Sequence, residues 1–120
     1  MLSPECIFCK IIKKEIPADV IAENDNFLAV KDINPKAPVH NLVIPKDHIP
    51  SVNHLEEKEA KMIGEMILFS KEVADKSGIA KGYKLVFNVG RDGGQLIDHI
   101  HLHVLGGWKD AQERDSRFHV

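Results

Sequence analysis

Three imidazoles at alternate positions carry the chemistry of this chain: His99-Ile100-His101-Leu102-His103-Val104-Leu105. A β-strand points successive side chains to opposite faces. The run therefore reads as a strand with His99, His101 and His103 on one face and Ile100, Leu102 and Val104 on the other. The apolar face belongs to a core. The histidine face lines something polar, with neighbouring histidines about 7 Å apart. His-x-His on a strand can hold zinc when a third ligand lies nearby. A neutral imidazole, abundant at pH 7, can instead attack phosphorus and carry a covalent intermediate. Three satisfied surface histidines form the plainest reading, which leaves the alternation without a purpose.

The run follows a glycine-rich stretch, Asn88-Val89-Gly90-Arg91-Asp92-Gly93-Gly94-Gln95. Adjacent glycines let backbone N–H groups approach an anion, and Asn88 and Gln95 add neutral donors. A plain hairpin loop would use the same residues. Arg91 could meet phosphate or stay a solvated loop residue. No G-x-x-x-x-G-K-[ST] occurs, so a P-loop kinase or ATPase is not supported. The two cysteines, Cys6 and Cys9, form a C-x-x-C. That spacing suits a metal pair, a redox pair or two reduced thiols. His54 and His119 read as solvated surface residues.

These groups need elements to position them. Residues Ile7 to Lys14 carry apolar side chains at 7, 8, 11 and 12, helical spacing that Pro17 ends. Val20 to Glu23 and Phe27 to Asp32 read as strands joined by Glu23-Asn24-Asp25-Asn26, where Asn and Asp tolerate tight-turn backbone. Pro35 and Pro38 stiffen the path to a strand over Asn41 to Pro45. Leu55 to Ser77 reads as one long helix, with Ile63, Met66, Ile67, Val73 and Ala74 on a stripe and Gly78 at its C-cap. Tyr83 to Val89 and His99 to Leu105 supply the last strands. Hairpin-linked neighbours pair antiparallel and βαβ alternation is missing, which predicts an α+β fold. Roughly five strands with one long and one short helix fit the length. A homodimer would cover a sheet face or edge left bare.

The chain has 120 residues, enough for one domain and one core. Residues 108–120 turn polar and aperiodic, which predicts a domain over 1–107 with a C-terminal tail. Sixteen Lys and Arg face eighteen Asp and Glu, for a formal charge of -2. That balance offers no basic surface to nucleic acid or an anionic membrane. No apolar run is long enough to span a bilayer. The opening Met-Leu-Ser-Pro-Glu-Cys lacks a charged n-region followed by an apolar h-region, so no secretory signal is expected. Two cysteines are few for a disulfide scaffold, which points to a reducing cytoplasm.

Together the motifs resemble the histidine triad family of nucleotide hydrolases and transferases. The resemblance covers about residues 6 to 107. It rests on the His-x-His-x-His run, Cys-Ile-Phe-Cys-Lys-Ile-Ile, Glu15-Ile16-Pro17-Ala18, Asp32-Ile33, Ala37-Pro38-Val39-His40, Leu42-Val43-Ile44-Pro45-Lys46, His48-Ile49 and Gly93-Gly94-Gln95. The nearest branch is the purine nucleoside phosphoramidases, in the bacterial type with an N-terminal C-x-x-C. The resemblance implies a five-stranded sheet that a homodimer extends to ten strands. It implies that His101 attacks the α-phosphorus of AMP or GMP conjugates, with no catalytic metal. His103 and Asn88 would bind phosphate oxygens, with Gly94, Gln95 and Leu96 lining the same loop. His99 and His40 would orient the triad through hydrogen bonds. Asp32 would take the ribose hydroxyls as a charge-assisted acceptor. Phe8, Ile11, Ile33 and Leu42 would wall the base. Cys6, Cys9, His48 and His99 would hold a structural zinc. Leu96 stands where the nearest branch carries a Ser, and the charged residues after Trp108 do not match its Trp-Pro-rich end. Two rival readings stay open: a nucleotide-binding module with little turnover, and a metal-dependent hydrolase using the three histidines.

Overall fold

Asn24 closes the first hairpin of the structure, a computed structural model that describes residues 3–116. Its Oδ1 accepts the N–H groups of Asn26 (2.9 Å) and Phe27 (2.8 Å). An Asn side chain that substitutes for backbone in this way favours a tight turn. It joins β1 (Val20–Glu23) to β2 (Phe27–Lys31). Strand β3 (Val39–Pro45) pairs with β2, β4 spans Tyr83–Val86, and β5 spans Leu102–Gly106. All neighbours are antiparallel, in the order β1-β2-β3-β5-β4. The expected α+β fold with a five-stranded antiparallel sheet is what forms.

Each face of the sheet has its own apolar cluster. One face carries Phe27, Ala29, Val43, Leu102 and Val104 and packs against Met66, Phe69, Val73 and Ala74 of α2 (Ala60–Lys76). Phe27 and Phe69 stack with ring centroids 5.6 Å apart. Fully burying one such side chain contributes roughly 1.5–3 kcal/mol. The opposite face carries Leu28, Val30, Leu42 and Ile44, and Phe8 of α1 (Ile7–Ile12) covers them. The functional histidines share this second face.

Several boundaries differ from the sequence expectation. Helix α1 stops at Ile12 because Lys14 takes a left-handed φ of 66°. Two short 3₁₀ turns, 52–54 and 57–59, precede α2, so the long helix begins at Ala60 rather than Leu55. Gly78, at φ 77°, follows its C-terminus as expected, where a side chain would be strained. Strand β4 ends at Val86 rather than Val89. The histidine strand begins at Leu102, not His99. His99 and His101 therefore lie in irregular chain, and only His103 sits in the ladder. Residues 108–116 are not wholly aperiodic. Asp110 caps a short helix α3 (Ala111–Asp115), and Lys84 Nζ lies 5.3 Å from the Trp108 ring centroid. His119 lies outside the described residues.

Candidate active site

Strands β3 and β5 set the histidines' spacing. In their register Leu42 faces His103 and His40 faces Leu105, so His40 and His103 are diagonal cross-strand neighbours. Diagonal side chains on one sheet face come within reach of each other. His40 Nε2 and His103 Nδ1 are 2.9 Å apart. The His101 and His103 rings are 5.0 Å apart, closer than the spacing expected along an extended strand. The irregular backbone before Leu102 brings them together.

His101 Nδ1 lies 2.7 Å from the carbonyl oxygen of His99. A carbonyl only accepts, so Nδ1 carries the proton and Nε2 keeps its lone pair. The ring is held edge-on by Phe8, with centroids 5.0 Å apart. His101 is 9% exposed. Among the described residues no fully buried side-chain nitrogen or oxygen lacks a hydrogen-bond partner, and His101 Nε2 has none. Its Nε2 edge is thus the part that meets solvent. The same reasoning places His103 Nε2 at the opening. Burial lowers the proton affinity of all four site imidazoles. His99 and His103 fall to about 4. His40 and His101 shift the same way, also through burial. At pH 7 these rings are neutral.

Asp32 and Asn88 flank the histidines. Asp32 Oδ2 is 3.3 Å from His40 Nε2. Asn88 Nδ2 donates to the Gly93 carbonyl at 2.9 Å, which leaves its second amide hydrogen for another acceptor. The glycine loop is knitted to itself. The N–H groups of Gly93 and Gln95 bond Gly90 O, and that of Gly94 bonds Arg91 O. Gly94 adopts φ 86°, a left-handed turn that side chains resist. The buried Gln95 side chain accepts from Gly90 N and donates to Pro50 O and Ile97 O. These donors shape the loop rather than face an anion. Arg91 is a clamp of the same loop, paired through two 3.0 Å contacts with Asp98. Leu96 is 82% exposed at its tip.

Of the four residues expected to wall a base, three come together. Phe8, Ile11 and Leu42 share the second apolar cluster, with Phe8 and Leu42 buried in it. Ile33 stands apart, 90% exposed. His54 is exposed at the surface, as expected, and pairs with Ser51 Oγ at 2.8 Å.

Cys6, Cys9, His48 and His99 converge, with their ligand atoms within 4.8 Å of one another. His99 Nδ1 is 3.3 Å from Cys6 Sγ, 3.5 Å from Cys9 Sγ and 3.1 Å from His48 Nδ1. Tetrahedral zinc with ordinary bond lengths sets such ligand edges at about 3.3–3.6 Å. The donor set fits that ion. His99 Nε2 donates to Pro45 O at 2.8 Å, which leaves Nδ1 bare for a ligand bond. Burial pushes the Cys6 thiol above its usual pKa, a cost that a bound cation would reverse. Sequence reasoning missed the Pro45 carbonyl and the Lys36 N–H, which donates to His40 Nδ1 at 3.0 Å. Backbone groups occur at every residue, so no residue type announces them.

The five-stranded antiparallel sheet with its helices is the fold this chain shares with solved histidine triad structures. A profile described as scavenger mRNA decapping enzyme, C-terminal binding, matches residues 5–119. A purine nucleoside phosphoramidase of Escherichia coli strain K12 is 44% identical over 107 residues, 88% of this chain and 90% of that protein. The solved structure of a HIT family hydrolase from Legionella pneumophila Philadelphia 1 superposes with a TM-score of 0.85 at 45% identity, covering 88% of this chain and 95% of that one. A zinc-bound histidine triad family protein from Mycobacterium smegmatis superposes with a TM-score of 0.76 at 30% identity, covering 90% of this chain and 78% of that one. The chain belongs to the histidine triad family, as a hydrolase.

Proposed function

We propose that the protein hydrolyses purine nucleoside phosphoramidates or related adenylates at the α-phosphorus, through a nucleotidyl intermediate on His101. One observation carries the reading. The His99 carbonyl fixes the His101 proton on Nδ1 and leaves a neutral, solvent-facing lone pair on Nε2. That is the tautomer a nucleophile needs. His101 Nε2 attacks phosphorus, and the bond from phosphorus to the leaving amine breaks. The amine departs with a proton from solvent. The adduct is an imidazolium, a good leaving group. Water then displaces it, releasing nucleoside monophosphate and a proton and restoring neutral His101.

His103 donates Nε2–H to the phosphate oxygens, because its Nδ1 is occupied by His40. Asn88 offers its second amide hydrogen. Gly94 and Gln95 act by shaping the loop, and Leu96 contacts the ligand at its tip. Asp32 accepts from the ribose hydroxyls. Ile11 and Ile33 touch the base, over Phe8 and Leu42. Cys6, Cys9, His48 and His99 would hold a structural zinc, which would fasten α1 to the sheet. Bound zinc would supply a structural crosslink there, and no step of the reaction passes through it.

The protein acts as a homodimer. Strand β4 is an edge of the sheet. Leu68 of α2 and Tyr83 of β4 line one surface cleft beside it, and edge-to-edge pairing of two copies would give ten strands. No helix among the described residues is long and apolar enough to cross a membrane, and two free cysteines suit a cytoplasmic location.

Adenosine 5′-phosphoramidate tests the reading. The protein should release AMP, and His101→Ala should lose at least ~10³ of that rate. Undiminished release by His101→Ala would sink the mechanism. Tight AMP binding with no turnover would select the binding-module reading instead.

A further inference from the structure

The Asp32 carboxylate beside the histidines has a partner besides any ribose. The Lys36 N–H donates to His40 Nδ1 at 3.0 Å. A neutral imidazole has one N–H, so the His40 proton sits on Nε2. Two acceptors face that proton, His103 Nδ1 at 2.9 Å and Asp32 Oδ2 at 3.3 Å. The carboxylate is aimed from both ends. Asp32 Oδ1 takes the Asn34 N–H at 2.8 Å, and the Asp32 N–H itself donates to His40 O at 3.0 Å. The His40 side chain is 1% exposed and that of Asp32 17%, so water screens their contact poorly.

We propose that Asp32 is a positioning residue for the His40–His103 pair, sharing the His40 Nε2–H and thereby aiming the His103 Nε2–H at the phosphate. The inference rests on the phosphorus-attack reading above. It goes beyond a ribose contact, because Asp32 then acts even when the substrate has no ribose hydroxyls. Its charge also faces the histidine cluster, where the imidazolium of the His101 adduct forms. The Asp32 charge raises the proton affinity of both His40 and His103, in line with that proximity. Asp32, His40 and His103 have the donor types of a cation site, with ligand atoms within 4.8 Å. The proton on His40 Nε2 lies in the middle of that trio and opposes a cation there.

Two measurements test the proposal. The first compares kcat and KM for adenosine 5′-phosphoramidate and its 2′,3′-dideoxy counterpart. In Asp32→Asn the amide oxygen can keep the Asn34 bond, which turns the NH₂ group against His40 Nε2–H. That variant should lose kcat on both substrates by roughly 10–100-fold, the range for a group that orients a functional histidine. KM should rise on the ribose substrate alone. Asp32→Ala, which removes the carboxylate without adding a donor, should also lose kcat on the dideoxy substrate. Wild-type kcat on the dideoxy substrate in both folded variants would overturn the proposal and leave Asp32 a ribose ligand. Failure of the unaltered protein to turn over either substrate would instead defeat the functional reading. The second measurement needs no variant. Nitrogen-15 spectra of the unaltered protein at pH 7 should show His40 protonated at Nε2 and bare at Nδ1. The opposite tautomer would overturn the proposal whatever the kinetics show.

Discussion

His99 does two jobs with different atoms. Its carbonyl holds His101, while its ring reaches Pro45, His48 and the cysteines. The resemblance implied that His99 orients the triad through a hydrogen bond, and the contact His99 makes to His101 is through its backbone carbonyl. Burial of His103 predicts a pH dependence of stability. His103 is pulled to about 4 when folded, against 6.5 for a free imidazole, because burial disfavours the charged ring. Between those values the unfolded chain binds protons that the fold refuses. Stability is therefore full above about 6.5 and falls as pH drops toward 4. Each pKa unit per histidine is worth ~1.4 kcal/mol at most. Denaturant midpoints measured across that range should fall on acidification. A flat profile would mean that the His103 ring is not neutral in the fold.

At the scale of elements, α1 and the loop over residues 90–98 decide whether the site holds together. Helix α1 puts Phe8 against His101 and brings both cysteines to His48 and His99. Zinc per chain, measured on freshly purified protein, should be one. Cys9→Ser should lose the metal and lower the unfolding midpoint, by roughly 4 °C for each kcal/mol lost in a domain of this size. A metal-free native protein with an unchanged Cys9→Ser midpoint would contradict the zinc site. The elements themselves were largely legible. Periodicity showed α1 and α2, because each buries one face in a regular repeat, and the Asn and Asp residues of the turn showed the first hairpin. The start of β5 was not legible, because alternating His and apolar residues look the same whether or not the backbone pairs. Loop Gln95 was readable as a polar donor, yet its partners are the carbonyls of Pro50 and Ile97 and the N–H of Gly90. Such partners are set by chain path, not by residue type. Ile33 and Leu96 were named for the site from resemblance, and their exposure shows that they contribute surface rather than core.

At the scale of the whole molecule, two apolar layers sandwich one sheet, and the functional face is the one covered by the small helix. The large helix leaves Ile67 and Leu68 exposed, and Leu68 shares a surface cleft with Tyr83 of the β4 edge. Sedimentation at micromolar concentration should give twice the chain mass of 13.5 kDa, and a monomer there would contradict the extended sheet. The near-neutral charge of -2 suits a molecule that meets its substrate through a few buried imidazoles and amides rather than a broad basic surface. Hydrolysis in two displacements through His101 leaves a stereochemical signature at phosphorus, read with an adenosine phosphoramidate made chiral by sulfur and hydrolysed in oxygen-18 water. Each in-line displacement inverts the centre, so two predict net retention in the released nucleotide. Net inversion would mean that water attacks phosphorus directly, and the covalent His101 intermediate would be contradicted.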